Sequence, residues 1–398
     1  GTDAGWPQWG GPRGDFTVGT VGLADSWPPA GPPRLWRRDL GRGYSAIAAR
    51  HGRLYTMYRD GLHDVVVALD AGTGETSWEH RYPGRVHPGN VTQFGVGPNA
   101  MPLALDDRVV TLGYGGMLNC LDAATGEPLW RHDLVADYDG AVPEFGYSAS
   151  PVLLDGKVIV LVGGERQGVI ALDPADGAVA WAGPPSSVSY ATPIGIELDG
   201  QRQIVYFTAD EVVGLDANDG AKLWSHPCVN QYRNNATPPQ WDPRSALLWV
   251  ATQLDGGGRA LRLRRTEAGT AVEEAWFNDE IKIHFWNSVR VGDHVYASIG
   301  GQVTLLAAVE LATGAIKWRE RGYSKINAIY VGDRLIFLDE KGLLGMARVS
   351  PEGFDQLAET RISAGKTWTV PTLAGTTLFV RDDHSIQAFD LGPGRPAG

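Results

Sequence analysis

Cysteine and methionine are scarce in this 398-residue chain, at 2 and 4 copies. Cys120 and Cys228 are too few for a disulfide framework and too far apart for a metal knuckle, so each is expected to be a buried thiol. No stretch approaches the roughly 18 uninterrupted apolar residues of a membrane span. Basic runs are missing too, and the formal net charge is −11. Phosphate neutralisation needs clustered Lys and Arg, so nucleic acid is excluded as a partner. What the chain has in excess is glycine, 52 residues, about twice average usage, and 14 tryptophans. Many glycines mean many turns, hence short strands rather than long helices. The chain starts at Gly1, which fits either a removed signal peptide or a cleaved tag. Low Cys and Met, high Trp and a proline-rich start suit a periplasmic or secreted protein.

An internal repeat organises the whole sequence. Leu69-Asp70 is followed by Gly74 and then Trp78. The same frame returns as Asp122, Gly126, Trp130, then Asp173, Gly177, Trp181, and Asp216, Gly220, Trp224. Glu310, Gly314 and Trp318 repeat it with Glu for Asp, and Gly269 with Trp276 and Gly353 with Leu357 are degenerate copies. The Asp carboxylate can accept from backbone N–H groups two residues on, and the Gly supplies a positive φ, so each frame is a tight hairpin turn. Two further strands precede each frame, making four antiparallel strands, which is a propeller blade. Seven outer strands end near Trp78, Trp130, Trp181, Trp224, Trp276, Trp318 and Leu357, and residues 366–391 supply three more strands. The missing fourth is available at 33–40, with Trp36 in the repeat position. The expectation is all-β: one eight-bladed β-propeller over 1–398, closed by its own N-terminal strand. Residues 1–32 are an extension, 41–391 the blades and 392–398 a tail.

The frame Leu-Asp-x-x-x-Gly-x-x-x-Trp resembles the tryptophan-docking repeat of the quinoprotein alcohol dehydrogenase-like propellers. Gly5-Trp6-Pro7-Gln8-Trp9, Gly43-Tyr44-Ser45 and Phe145-Gly146-Tyr147 look like secreted bacterial PQQ-like repeat proteins. The resemblance covers nearly the whole chain. It implies either a cofactor-dependent dehydrogenase or a non-enzymatic scaffold of outer-membrane assembly that binds partner proteins. Dehydrogenases of the group hold PQQ against a tryptophan floor, under a vicinal disulfide, beside calcium held by acidic and amide side chains. This chain has no adjacent cysteines, its strand openings carry no acid, and it lacks long insertions, so PQQ with calcium is disfavoured and no cofactor or metal is expected. At Ala149 and Phe285-Trp286-Asn287 it also departs from the Glu and His-Gly-Gly more typical of its relatives.

In such a disc the Asp–Gly turns lie on one face, and the links from each outer strand to the next inner strand lie on the other. The inner-strand openings therefore rim a central funnel. They read Tyr44, Asn99, Tyr147, Tyr190, Arg233-Asn234, His284 with Trp286-Asn287, Lys325 with Asn327, and Lys366 with Trp368. Arg233, Lys325, Lys366 and His284 are expected to make the funnel positive in an acidic protein, focusing a small anionic or sugar-derived ligand. Trp286 and Trp368 offer flat faces, and the asparagines fix orientation. His284 is the acid–base candidate, with Tyr147 and Lys325 assisting, if there is a reaction. Ordinary hydration of a channel is the plainer reading of the same residues. Two links are long, 79–98 and 131–146. With His87, Asn90, Gln93 and Phe94 in one, and Asp137, Tyr138, Asp139 and Glu144 in the other, they are expected to form a lid that supplies an acid.

Overall fold

The computed structural model describes residues 5–393. The expected tail at 392–398 falls mostly outside these residues, as do the first four of the extension. Eight four-stranded antiparallel blades form the ring. Seven are continuous, over 48–83, 103–133, 152–182, 194–227, 240–278, 289–320 and 326–361. We number them 1 to 7 in that order. Blade 8 takes three strands from 372–390 and its outermost strand, Arg34–Asp39, from the N-terminal region. That strand pairs antiparallel with Ser385–Asp390, placing Trp36 opposite Ala388. The ring is thus closed by the segment expected to close it. Among the described residues there is one α-helix, the five-residue Leu134–Tyr138, and one 3-10 turn, Gly11–Arg13. No helix among the described residues is long and apolar enough to cross a membrane.

The repeated turns show why the frame uses its residues. Asp70 Oδ1 accepts from the N–H of Gly72 and Thr73, each at 2.9 Å, and Asp122 does the same for Ala124 and Thr125. Gly126 has φ 77°, and a Cβ there would lie 2.5 Å from the Trp78 ring of the preceding blade. The glycine is therefore required by the turn and by the ring seated on it. The Trp78 indole donates to Ala123 O at 3.1 Å, and Trp36, Trp130, Trp181, Trp276 and Trp318 likewise donate to a carbonyl of the following blade. Trp224 is the exception and donates to Gln203 Oε1 at 2.7 Å within its own blade. The turn it would meet, Thr266–Gly269, is the degenerate copy and lacks the Asp frame. Between blades, inner faces interdigitate into apolar layers such as Leu112, Leu118, Val158 and Ile170.

The N-terminal extension has a role that its composition did not indicate. Trp6 exchanges backbone hydrogen bonds with Ala49 of blade 1, Pro7 O accepts from Ala104 of blade 2, and Gln8 Oε1 accepts from Leu153 of blade 3. Thr17–Val18 then add in parallel to the inner strand of blade 7. The segment crosses the far end of the central channel, on the Asp–Gly turn face. Trp6 and Phe16 are fully buried there.

Candidate functional site

A cavity of about 370 Å³ occupies the channel, open on the face of the inter-blade links. Its wall is a chain of rings. Tyr190 packs on Phe145 at 5.8 Å, Phe145 on Phe94 at 6.1 Å, Phe94 on Trp368 at 6.2 Å, and Trp368 on Phe285 at 5.1 Å. His284 lies against Phe285 at 4.9 Å and Tyr44 against Trp368 at 4.8 Å. Trp9 of the N-terminal crossing also lines the cavity. Polar side chains among the lining residues are Asn99, Ser148, Thr192, Asn234, His284, Lys325 and Thr369, with the hydroxyls of Tyr44 and Tyr190. Asn99 is oriented by donating to Phe145 O at 3.2 Å and Ser148 Oγ at 3.1 Å.

Of the residues anticipated from sequence, Tyr44, Asn99, Tyr190, Asn234, His284, Lys325 and Trp368 line this cavity. The others do not. Tyr147 is buried behind the wall, its single hydroxyl proton shared between Ala141 O at 2.9 Å and Val162 O at 3.3 Å. Burial pushes its pKa further above the usual phenol range. Trp286 is buried in the layer between blades 5 and 6, with its indole on Ser298 O. Asn287 clamps Ala328 through both its amide donor and its carbonyl, each at 2.8 Å, and Asn327 Oδ1 accepts from the Asn287 N–H at 3.2 Å. Both asparagines hold blade 6 to blade 7. Residues 284–286 form a bend ahead of the inner strand Val289–Val291, where His284 and Phe285 both face the cavity while Trp286 and Asn287 both turn into the blades.

The positive funnel also requires correction. Arg233 lies outside the central cavity and grips Asp210 through Nε at 2.8 Å and Nη2 at 2.7 Å. Lys325 pairs with Glu340 at 3.5 Å, and Lys366 rests over the Trp368 ring at 4.7 Å, not among the lining residues. The partner acids sit in turns joining second to third strands. These turns share the face of the links, so Glu340 was discoverable by reading them as closely as the strand openings. His284 adds no charge at neutral pH, because burial first, and Lys325 second, lower its pKa to about 4. Burial above all raises Tyr44 and Tyr190 to about 12, so both remain hydroxyl donors.

This shift has a measurable consequence. Unfolded, a histidine titrates near 6.5; folded, His284 resists protonation until about pH 4. The unfolded chain therefore binds more protons across that window, and stability falls as pH drops from about 6.5 to about 4. The contribution reaches at most about 3 kcal/mol. His284→Asn is expected to flatten the acid limb relative to the parent, read as urea midpoints at pH 7 and pH 4.5. Parallel slopes in the two proteins would contradict it.

Both long links reach the mouth, but with rings. Val91, Phe94 and Gly95 from one and Phe145 from the other line the cavity. His87 ties the first link to blade 2 and Asn90 ties the two links to each other: His87 Nε2 meets Gly115 O at 2.8 Å and Asn90 Nδ2 donates to Pro143 O at 2.7 Å. Gln93 is exposed. Asp137 and Tyr138 belong to the short outward helix, Asp139 caps it, and Glu144 borders a neighbouring cleft. The expected acid therefore does not line the central cavity.

An eight-bladed disc with this repeat and a central cavity on the link face defines a PQQ-like repeat propeller. Residues 62–320 match the family model described as "Outer membrane protein assembly factor BamB", and the chain belongs to that family. Quinoprotein alcohol dehydrogenase PedH of Pseudomonas putida is 30% identical over 177 residues, 42% of this chain and 26% of that protein. Outer membrane protein assembly factor BamB of Burkholderia pseudomallei is 28% identical over 138 residues, 34% of this chain and 30% of that protein. The chain therefore matches under a third of the length of these relatives. Among solved structures, BamB from Moraxella catarrhalis superposes with a TM-score of 0.61 at 16% identity, covering 92% of this chain and 99% of that one. Quinohemoprotein alcohol dehydrogenase ADHIIG from Pseudomonas putida HK5 gives 0.65 at 13% identity, covering 100% and 81%. These likenesses show the fold.

The cofactor of the dehydrogenase branch does not fit the residues present. PQQ carries three carboxylates, and among the described residues the one cation lining this cavity, Lys325, is already paired with Glu340. The described residues contain no group of three or more His, Cys, Asp or Glu that could hold calcium. Cys120 and Cys228 are buried, unpaired thiols in different blades, both raised by burial, to about 12 and about 11. Protein supplied with PQQ and calcium is expected to show no dye-linked alcohol oxidation. Saturable activity in that assay would overturn this.

Proposed function

We propose that this chain is an extracytoplasmic propeller that binds a small, ring-shaped, sugar-derived organic ligand in its central cavity. The observation that carries the reading is the continuous aromatic wall from Tyr190 to Phe285, with the oriented amide of Asn99 beside it. Flat apolar rings accept the C–H face of a sugar or another planar body, and a few fixed polar groups set its orientation. A neutral sugar-derived ligand fits better than an anion, because Lys325 is neutralised by Glu340. His284 then serves as a neutral hydrogen-bonding group, and Lys325 as a donor. Placement outside the cytoplasm is supported by the family description and by the low cysteine content. Native mass spectrometry of protein exposed to mixed ring-containing metabolites is expected to show one bound small molecule. Trp368→Ala and Phe285→Ala should each weaken it about tenfold, the loss of one stacking contact of roughly 1.4 kcal/mol. Unchanged affinity in both variants would sink the proposal.

A second reading, a scaffold for a partner protein, is favoured by the matched family model, described as an outer membrane protein assembly factor. The most exposed large apolar side chains, Leu62 of blade 1 and Val303 of blade 6, at 81% and 71%, are single points where such a partner could touch the link face. On that reading Leu62→Asp and Val303→Asp abolish a partner complex and leave cavity binding intact.

A further inference from the structure

A second cleft, of about 540 Å³, opens on the same face beside the central cavity, and Tyr190 and Asn234 line both. The two compartments differ in chemistry. Where the central wall is aromatic, the cleft presents the carboxylates of Glu144 and Glu165, the Ser187 hydroxyl, Arg233 and the exposed ring of Tyr232. Asp210 holds Arg233 through Nε and Nη2 and also accepts from Ser187 Oγ at 3.0 Å, which leaves Nη1 as a fixed donor with its charge offset. At the junction Asn234 is pinned: its side-chain oxygen accepts from Gln253, and its backbone carbonyl accepts from Asn230 Nδ2 at 2.8 Å. Its own amide donor remains available to a ligand passing from one compartment to the other.

Acids outnumber the single arginine in the cleft, so an anion is repelled. An ammonium group needs acceptors alone, whereas the cleft offers donors and acceptors side by side, as sugar hydroxyls require. We propose that the two compartments form one bipartite site for a neutral glycoside. Its apolar ring lies against Phe94, Trp368 and Phe285, its sugar occupies the cleft, and Asn234 donates at the junction. This rests on the central cavity being a ligand site.

The test titrates the intact protein with phenyl β-glycosides of glucose, galactose and N-acetylglucosamine. Benzyl alcohol, the matching methyl glycosides and phenethylamine serve as fragments, with tryptophan fluorescence and calorimetry as readouts. At least one phenyl glycoside is expected to bind about tenfold more tightly than benzyl alcohol and than its methyl glycoside. Arg233→Ala and Glu165→Gln should remove that gain and leave benzyl alcohol affinity unchanged. Phenyl glycosides no tighter than benzyl alcohol, phenethylamine tighter than every glycoside, or a gain surviving both variants would each overturn the bipartite site while leaving the central cavity as a ligand site. No binding by any compound, benzyl alcohol included, would overturn both.

Discussion

A chain lacking residues 1–40 is expected to lose the closed monomeric ring and aggregate or melt at a far lower temperature. The deletion removes the outer strand Arg34–Asp39 and exposes the edge Ser385–Asp390 to pairing with other chains. It also removes Trp6 and Phe16, both fully buried in the channel crossing. Loss of two such side chains costs about 6–10 kcal/mol, comparable to the whole stability of a typical domain. Light scattering after size exclusion and a thermal melt provide the check. A monomer with unchanged melting temperature would show that closure is not what holds the ring. Deleting only residues 1–20 also removes Trp6 and Phe16 but keeps the closing strand, so it should melt at a similarly lowered temperature without the aggregation that the bare edge causes.

Arg381→Ala is expected to destabilise the protein by about 3 kcal/mol, through the same blade 8 to blade 1 junction. Arg381 is 1% exposed, at the end of the second strand of blade 8. Its Nη1 shares two hydrogens among Met57 O at 2.5 Å, Thr56 Oγ1 at 2.8 Å and Ser45 O at 2.9 Å, all in or beside blade 1. Two effects oppose each other. Burial lowers its pKa to about 10, so holding the guanidinium there is itself unfavourable. Truncation, however, removes the donor that Met57 O, Ser45 O and Thr56 Oγ1 share, leaving Ser45 O and Thr56 Oγ1 only their bond to each other at 2.9 Å, and opens a void, at about 1–3 kcal/mol for a buried group left unpaired. The second effect wins. Chemical denaturation measures it, and a loss below about 1 kcal/mol would show that water replaces the guanidinium.

The repeat frame was legible because each of its requirements is local. Asp70 and Gly74 build their turn from neighbours in the chain, and Trp78 needs only the next copy of the same turn. Blade number, strand order and closure by Trp36 follow from counting such units, with no knowledge of distant contacts. Even the one irregular contact, Trp224 on Gln203, falls where the following frame is visibly degenerate.

The candidate site was legible only in part. The openings of the inner strands were located, and Tyr44, Asn99, Tyr190, His284 and Trp368 do meet in one cavity. Whether a given opening residue faces the cavity or the blade interior depends on the local course of the chain: His284 and Phe285 both stand in the wall, while Trp286 next to them turns into the layer between blades. Charge was harder still. Arg233 and Lys325 stand as bare cations in the sequence, yet Asp210 and Glu340 reach them from separate turns on the same face. Trp9 enters the cavity only because the extension crosses the channel and bonds to blades on both sides of the ring. The sequence by itself determined the architecture, because turn and ring contacts recur at short, fixed spacing. Tertiary structure alone decided the chemistry of the cavity, because neutralisation, burial and facing direction arise between segments that the chain order keeps apart.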